Sequence, residues 1–278
     1  MIHERAVVDP GAEIDPEVEI GPCAVVEAEV RIAKGCVVGA HAVLHRGTVL
    51  EESVAVAPHA VLGGLPQDLR FDPQAPSGVW VEKGARIREF VSINRSHEAE
   101  GWTRVGAGAF LMAGAHMGHG CTVGENAVLA NNVMLAGHVS IGAYSFIGGG
   151  AGFHQFVRVG ESAMVSGLAR ISRDVAPFLM VSERDEVNGL NLIGMRRRGM
   201  AAPEIAEIKQ LFRLVYRSLG GQRAKAEELL IERHETLSES SLRFLKFFAE
   251  SRRGFVQPDP RNSSIRADPG TTTSEEES

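Results

Sequence analysis

The sequence predicts an all-β solenoid of hexapeptide repeats followed by a small all-α domain. Three observations carry this. Aliphatic residues recur every six positions from Val8 to Leu62, again at Val81, Ile87 and Ile93, and then without a break from Val105 to Ile171. The residue two before each is usually small or β-branched, as at Ala12, Val18, Ala24, Ala109, Ala127 and Ala163. After Asp174-Val175-Ala176-Pro177 the period disappears and helical patterning replaces it.

No ordinary helix or strand has period six. It is the signature of a β-helix in which each hexapeptide supplies one short strand and one corner, and stacked copies bury a ladder that no single copy buries alone. Twenty-five hexads are countable. Taken three to a triangular coil they make about eight coils, roughly 40 Å tall at about 4.8 Å per layer. Gly21, Gly39, Gly63, Gly106, Gly124, Gly142, Gly148 and Gly160 directly follow ladder residues, and are expected to relieve tight bends.

Two insertions interrupt the repeat, about 64–78, with Pro66-Gln67-Asp68-Leu69-Arg70-Phe71, and about 96–102. Insertions in repeat proteins gather on one face, often the binding face. The solenoid is read as 1–178, and 179–256 as a linker and helical domain. Within it, Met180 to Asn191 leads to Arg196-Arg197-Arg198. A helix opening at Pro203 carries Ile205, Ile208, Leu211, Phe212, Val215, Tyr216 and Leu219 on one stripe and ends at Gly220-Gly221. A second helix spans about Arg223 to Arg233. A third begins at a Thr236/Glu239 capping box and runs to Arg252. Residues 257–278 are Pro-, Ser-, Thr- and Glu-rich and are expected to be disordered.

Composition narrows the function. A net charge of −6 and a pI near 6.0 argue against nucleic acid as the main partner. Cys36 and Cys121 occupy the small inward position and Cys23 a corner, without paired spacing, which points to the cytoplasm and to cysteines acting as small hydrophobes. The N-terminus enters the repeat at once, with no signal-peptide pattern, and no apolar run reaches membrane-spanning length.

Four histidines fall in the unbroken block: His116, His119, His138 and His154. None is on the core ladder. His119 and His138 are 19 residues apart, one coil plus one residue, which places them on adjacent layers around one edge of the prism. Imidazole is the usual group for taking a proton from a hydroxyl or amine near neutrality. Three histidines can also leave an open zinc position, but the spacing differs from that of metal-binding hexapeptide proteins, so no metal or other cofactor is expected.

The stretch Ala115-His116-Met117-Gly118-His119-Gly120-Cys121, with Leu129-Ala130-Asn131-Asn132, Leu135-Ala136-Gly137-His138-Val139 and His154-Gln155-Phe156, resembles the UDP-N-acetylglucosamine O-acyltransferase family that opens lipid A biosynthesis. The resemblance runs from Val8 to about Phe255. It implies a left-handed parallel β-helix with a C-terminal helical domain, assembled as a homotrimer. It also implies transfer of a 3-hydroxyacyl chain from acyl carrier protein to the 3-hydroxyl of UDP-N-acetylglucosamine. His119 then matches the general base. His116, His138, His154 and Gln155 match cleft positions between subunits, and Gln67 and Asp68 match the substrate-contacting loop. Asn191 and Arg196-Arg197-Arg198 match the segment that meets diphosphate and the acidic carrier protein. Met164, Ser166 and Gly167 match the acyl groove, where a small residue at Gly167 goes with a longer chain.

The chain departs from the family at Gly120, where an acid is usual after the catalytic histidine, at Asn94 in place of histidine, and at Ser182-Glu183 in place of Gly-Asn. Gly120→Asp is therefore expected to be tolerated and to raise activity. Two other readings stay open: N-acylation of an amino-sugar nucleotide, and a catalytically silent scaffold.

Overall fold

The computed structural model describes residues 1–218 and 221–258. Strands of mostly two residues alternate with corners and stack into three parallel faces. The first face runs from Val7–Val8 to Arg170–Ile171, the second from Glu13–Ile14 to Arg158–Val159, and the third from Glu19–Ile20 to Met164–Val165. The coil is left-handed. In each two-residue strand the second residue points inward, so the six-residue period becomes three vertical ladders. On the first face, for example, Met117 pairs with Leu135, Leu135 with Phe153 and Phe153 with Ile171. All four are buried. The small residues two positions earlier fill the corners from inside, which is why Cys36 and Cys121 are fully buried. Their thiols donate to Glu51 O at 2.9 Å and Ala136 O at 3.0 Å, and burial pushes the Cys121 thiol up to about 12.

Apart from Gly63, whose φ is +83°, the glycines after ladder residues have a different job from the one expected. At Gly124 the backbone is not left-handed, but an added Cβ would meet Ala143 N of the next coil at 2.5 Å. Close stacking of coils selects glycine there. The left-handed bend falls two residues later, and non-glycine residues such as Asn126, His138 and Tyr144 occupy it.

Both insertions leave from the corner between the first and second faces. The chain exits after Val61–Gly64 and re-enters at Gly78–Val81, and on the next coil it exits after Ser92–Asn94 and re-enters at Trp102–Val105. Register survives, since Leu62 pairs with Ile93 and Val81 with Val105. Buried Asn94 and Arg95 pin the first insertion by donating to Leu65 O at 2.8 Å and Pro73 O at 2.6 Å. Arg95 also lies over Phe71, 5.2 Å from its ring centre.

The segment read as a linker contains an antiparallel pair, Leu179–Ser182 with Glu186–Leu190, which extends the third face beyond Met164–Val165. Helix α1 (Leu192–Arg197) follows, then α2 (Ala202–Tyr216), α3 (Gln222–Arg233) and α4 (Glu239–Lys246). Helix α2 opens at Ala202, with Pro203 in its first turn, and buries Ile205, Ile208, Leu211, Phe212 and Val215. Leu219 and Gly220 lie outside the described residues. The cap of α4 is Ser238, not Thr236, because Thr236 turns back to Arg233 O at 3.0 Å. Glu207 of α2 takes the hydroxyls of Ser238 and Ser241, both at 2.5 Å, so a cross-helix contact outcompetes the local capping box. Helix α4 then ends at Lys246, short of Arg252, in a 3-10 turn over Phe247–Ala249.

Arg158 joins the helices to the solenoid. It pairs with buried Asp174 at 3.1 Å, donates to Phe247 O at 3.0 Å and lies over the Phe247 ring. Gln257–Pro258, expected to begin a disordered tail, pairs with Glu186–Val187 as a strand. The remainder of that tail, 259–278, lies outside the described residues.

The inward ladder sets stability. Leu129→Ala, at a fully buried rung, should cost about 2–5 kcal/mol in urea denaturation. Val37→Ala, on an outward position that is 44% exposed, should move the midpoint little.

Candidate active site

The histidine cluster forms at the corner between the first and second faces. His119 and His138 lie on successive coils of that corner, and their ring centroids are 5.1 Å apart. The sequence reading missed a third member, His97, delivered by the second insertion. It stands 5.3 Å from His119 and 4.9 Å from His138. The signal available for it was the position of the insertion, one coil before His119, but no six-residue register applies inside a loop.

Burial pushes the His119 imidazole below its ordinary value, and neighbouring His97 pushes the same way while Asp68 opposes them. Burial likewise lowers His138, helped by His119 and His97. Asp68, in the first insertion, is thus an acid whose field reaches His119. It is itself held low by the Arg70 backbone N–H at 3.0 Å and by the Arg70 side chain. The His119 ring also lies against Gly137, where a Cβ would come within 2.5 Å of Nε2.

The other expected site residues divide. His116 sits on the adjacent flat face, outside the ring cluster, with Nδ1 hydrogen-bonded to Ser92 Oγ at 2.8 Å and its basicity lowered by burial. His154 and Gln155 are exposed on the same corner one coil beyond His138, and Gln67 is exposed on the first insertion. Asn191 is buried and structural. It caps α1 by accepting from Gly194 N–H at 2.9 Å, and its amide donates to Ser162 O at 2.9 Å. The arginine run is not one unit either. Arg196 and Arg197 are exposed at the end of α1, whereas Arg198 pairs with Glu161, donates to Ser162 Oγ at 3.0 Å and covers the Tyr144 ring at 4.3 Å. Met164 is half-buried on the third face, and Ser166 and Gly167 form the corner after it.

A cleft of about 240 Å³ adjoins the cluster, lined by His138, Ser140, Phe156, Arg158 and Arg252. Phe156 stacks on His138 at 4.8 Å, and Arg252 lies 5.8 Å from the Phe156 ring centre. Arg252 therefore brings a cation from the helical domain to the histidine corner, another contributor that the repeat pattern does not reveal.

A family model described as UDP-N-acetylglucosamine O-acyltransferase, domain 2, matches residues 174–256, and a model of six bacterial-transferase hexapeptides matches residues 103–137. A relative from Campylobacter concisus, named acyl-(acyl-carrier-protein):UDP-N-acetylglucosamine O-acyltransferase, is 36% identical over 91% of this chain and 96% of its own length. The chain belongs to the UDP-N-acetylglucosamine O-acyltransferase family. Solved structures agree. The UDP-N-acetylglucosamine acyltransferase from Campylobacter jejuni superposes with a TM-score of 0.86 at 34% identity, covering 93% of this chain and 100% of that one. The Francisella novicida UDP-N-acetylglucosamine acyltransferase gives 0.89 at 31% identity, covering 95% and 96%.

Within the family frame, Gly120 acquires a physical explanation. It occupies the left-handed corner with φ +66°, and an added Cβ would meet His138 Nδ1 at 2.8 Å and Cε1 at 2.9 Å. The bend alone does not demand glycine, since His138 itself adopts φ +60° one coil on. What a Cβ here would press on is the His138 ring, which is backed by Phe156. The expectation that Gly120→Asp raises activity is therefore replaced. The substitution should displace His138 and lower kcat several-fold, with an unchanged circular dichroism spectrum; a raised kcat would show that His138 is free to move.

Proposed function

We propose that this chain transfers a 3-hydroxyacyl group from acyl carrier protein to the 3-hydroxyl of UDP-N-acetylglucosamine, the first step of lipid A biosynthesis. The observation that carries the reading is His119: a half-buried imidazole, held mostly neutral at pH 7, on an open corner flanked by both insertions. Its lone pair takes the proton of the sugar hydroxyl as the oxygen attacks the thioester carbonyl. The tetrahedral intermediate expels the carrier thiolate, which recovers the proton from the imidazolium. The Gly137 amide N–H, beside His119, donates to no group among the described residues and is available to the oxyanion. Gln67, Asp68, His154 and Gln155 border the corner and would contact the sugar nucleotide.

The acyl groove requires a second copy of the chain. Outward residues Phe110, Val128, Phe146 and Met164 form an apolar column up the third face. Phe146 remains 41% exposed. That face lies opposite the histidine corner, so the column and the corner of one chain cannot line the same cleft. A homotrimer closes it, setting one subunit's corner against the neighbour's third face, with Gly167 at its edge. No described helix is long and apolar enough to cross a membrane, and we place the enzyme in the cytoplasm, where acyl carrier protein would dock on Arg196, Arg197 and Arg252.

Two experiments test the chemistry. His119→Ala should lower kcat by about 10²–10⁴ without loss of sugar-nucleotide binding, and mass spectrometry of the product should show an ester rather than an amide. Because the His119 imidazole is depressed, its free-base form persists as pH falls, so the acid limb of kcat/KM should lie below the ordinary histidine value of about 6.5. Replacing Arg196 and Arg197 by Ala should raise KM for the carrier protein, an effect that shrinks as salt rises. Arg198→Ala should instead lower thermal stability, since its partners are all within the chain.

A further inference from the structure

His97, His119 and His138 enclose one small volume. One nitrogen from each lies within 4.8 Å of the other two. The rings meet at 50°, 88° and 84°, so their edges converge instead of stacking. His41 and His59 make the contrast, stacked 5.0 Å apart at 1° with no shared edge. We propose that His97, His119 and His138 form a three-imidazole site for a divalent transition-metal cation of the zinc class, and that an ion bound there withdraws the His119 lone pair from acyl transfer. The first half stands on this geometry alone; the second rests on the proposed function.

Three features point to a cation. The Nδ1 atom of His97 is buried and has no hydrogen-bond partner among the described residues, an arrangement that costs free energy until the nitrogen is satisfied. An all-imidazole set suits zinc, copper or nickel and not magnesium or calcium. Three nitrogens about 2.0–2.1 Å from a tetrahedral ion stand about 3.4 Å from one another, a closure within reach of ring rotation from the present spacing. The fourth coordination position would open onto the corner, with the Asp68 carboxylate near enough to offset part of the charge.

Two of the three ligands come from the solenoid, and the third exists only because the second insertion carries a histidine. His97 is therefore the ligand whose removal tests the site with the base left in place: it exchanges no proton in the acyl-transfer scheme above and touches it only by lowering the basicity of His119.

The test uses the full chain after chelator treatment, titrated with zinc alone against a chromophoric chelator and with cobalt(II) by absorption spectroscopy. Wild-type protein should bind one ion per chain with a dissociation constant on the order of micromolar, weaker than closed four-ligand sites. His97→Ala and His97→Gln should each weaken binding by about 100-fold or more, while retaining the wild-type melting temperature. Zinc should inhibit the wild type in step with occupancy, a chelator should restore activity, and both variants should resist inhibition. If a His97 variant fails to fold, His138→Gln supplies the same binding comparison. Wild-type affinity weaker than about 1 mM, or equal affinity in the variants, would overturn the site; binding without inhibition would overturn its consequence. The binding titration contains no substrate, so failure of acyl transfer would count against the proposed function and leave the metal site standing.

Discussion

The close parallel stacking of one coil on the next is the constraint on which everything else depends. Each coil satisfies its backbone groups through the coil above, as where Thr122 N–H donates to Val139 O at 2.9 Å and Ser140 N–H to Val157 O at 3.0 Å. Such proximity leaves no room for a Cβ at positions like Gly124 and Gly142, where one would come within 2.5 Å of a backbone nitrogen of the next coil. It also locks register, so a residue at a given corner lies directly over its counterpart 18 residues earlier. A corner thereby becomes a column on which chemical groups are aligned without any dedicated scaffold.

The histidine corner is that column put to use. Gly120, His138 and Phe156 occupy the same left-handed position on three successive coils. Bare at Gly120, imidazole at His138 and phenyl at Phe156, the column leaves space for the His138 ring above a hydrophobic support. His119 enters from the side over Gly137, which has no Cβ to displace it. Insertions at the same corner then bring Asp68 and His97, one raising and the other lowering the basicity of the same imidazole. Burial and His97 outweigh Asp68, so the net effect is a His119 imidazole held below its ordinary value.

The helical domain contributes at a second level. Asp174 is fully buried and paired with Arg158, and Arg158 in turn holds the carbonyls of Phe247 and Glu250. This fixes the segment that presents Arg252 beside Phe156. Glu161 does comparable work at the next corner, where Arg198 of the α1 C-terminus and Arg243 of α4 share its carboxylate. Basic residues that read alike in sequence thus separate into those holding the domain in place and those, such as Arg196 and Arg197, whose side chains stay exposed.

The sequence by itself determined the solenoid, its coil number, the location of both insertions and the candidacy of His119 and His138, because a period of six maps position along the chain directly onto position around the prism. It also located α2 and α3, since their buried stripes follow local periodicity, but it missed α1 and both ends of α4. Residues whose environment comes from another coil or another helix were decided only by the tertiary structure. His97 joins the cluster because a loop folds back over the corner. Asn191 and Arg198 turn inward because Ser162 and Glu161 wait there, Gly120 is held open by a ring 18 residues away, and Ser238 displaces Thr236 as a helix cap because Glu207 reaches across from a neighbouring helix. In each case a contact distant in sequence outweighs a local preference worth about 1 kcal/mol or less, and no periodicity records such a contact.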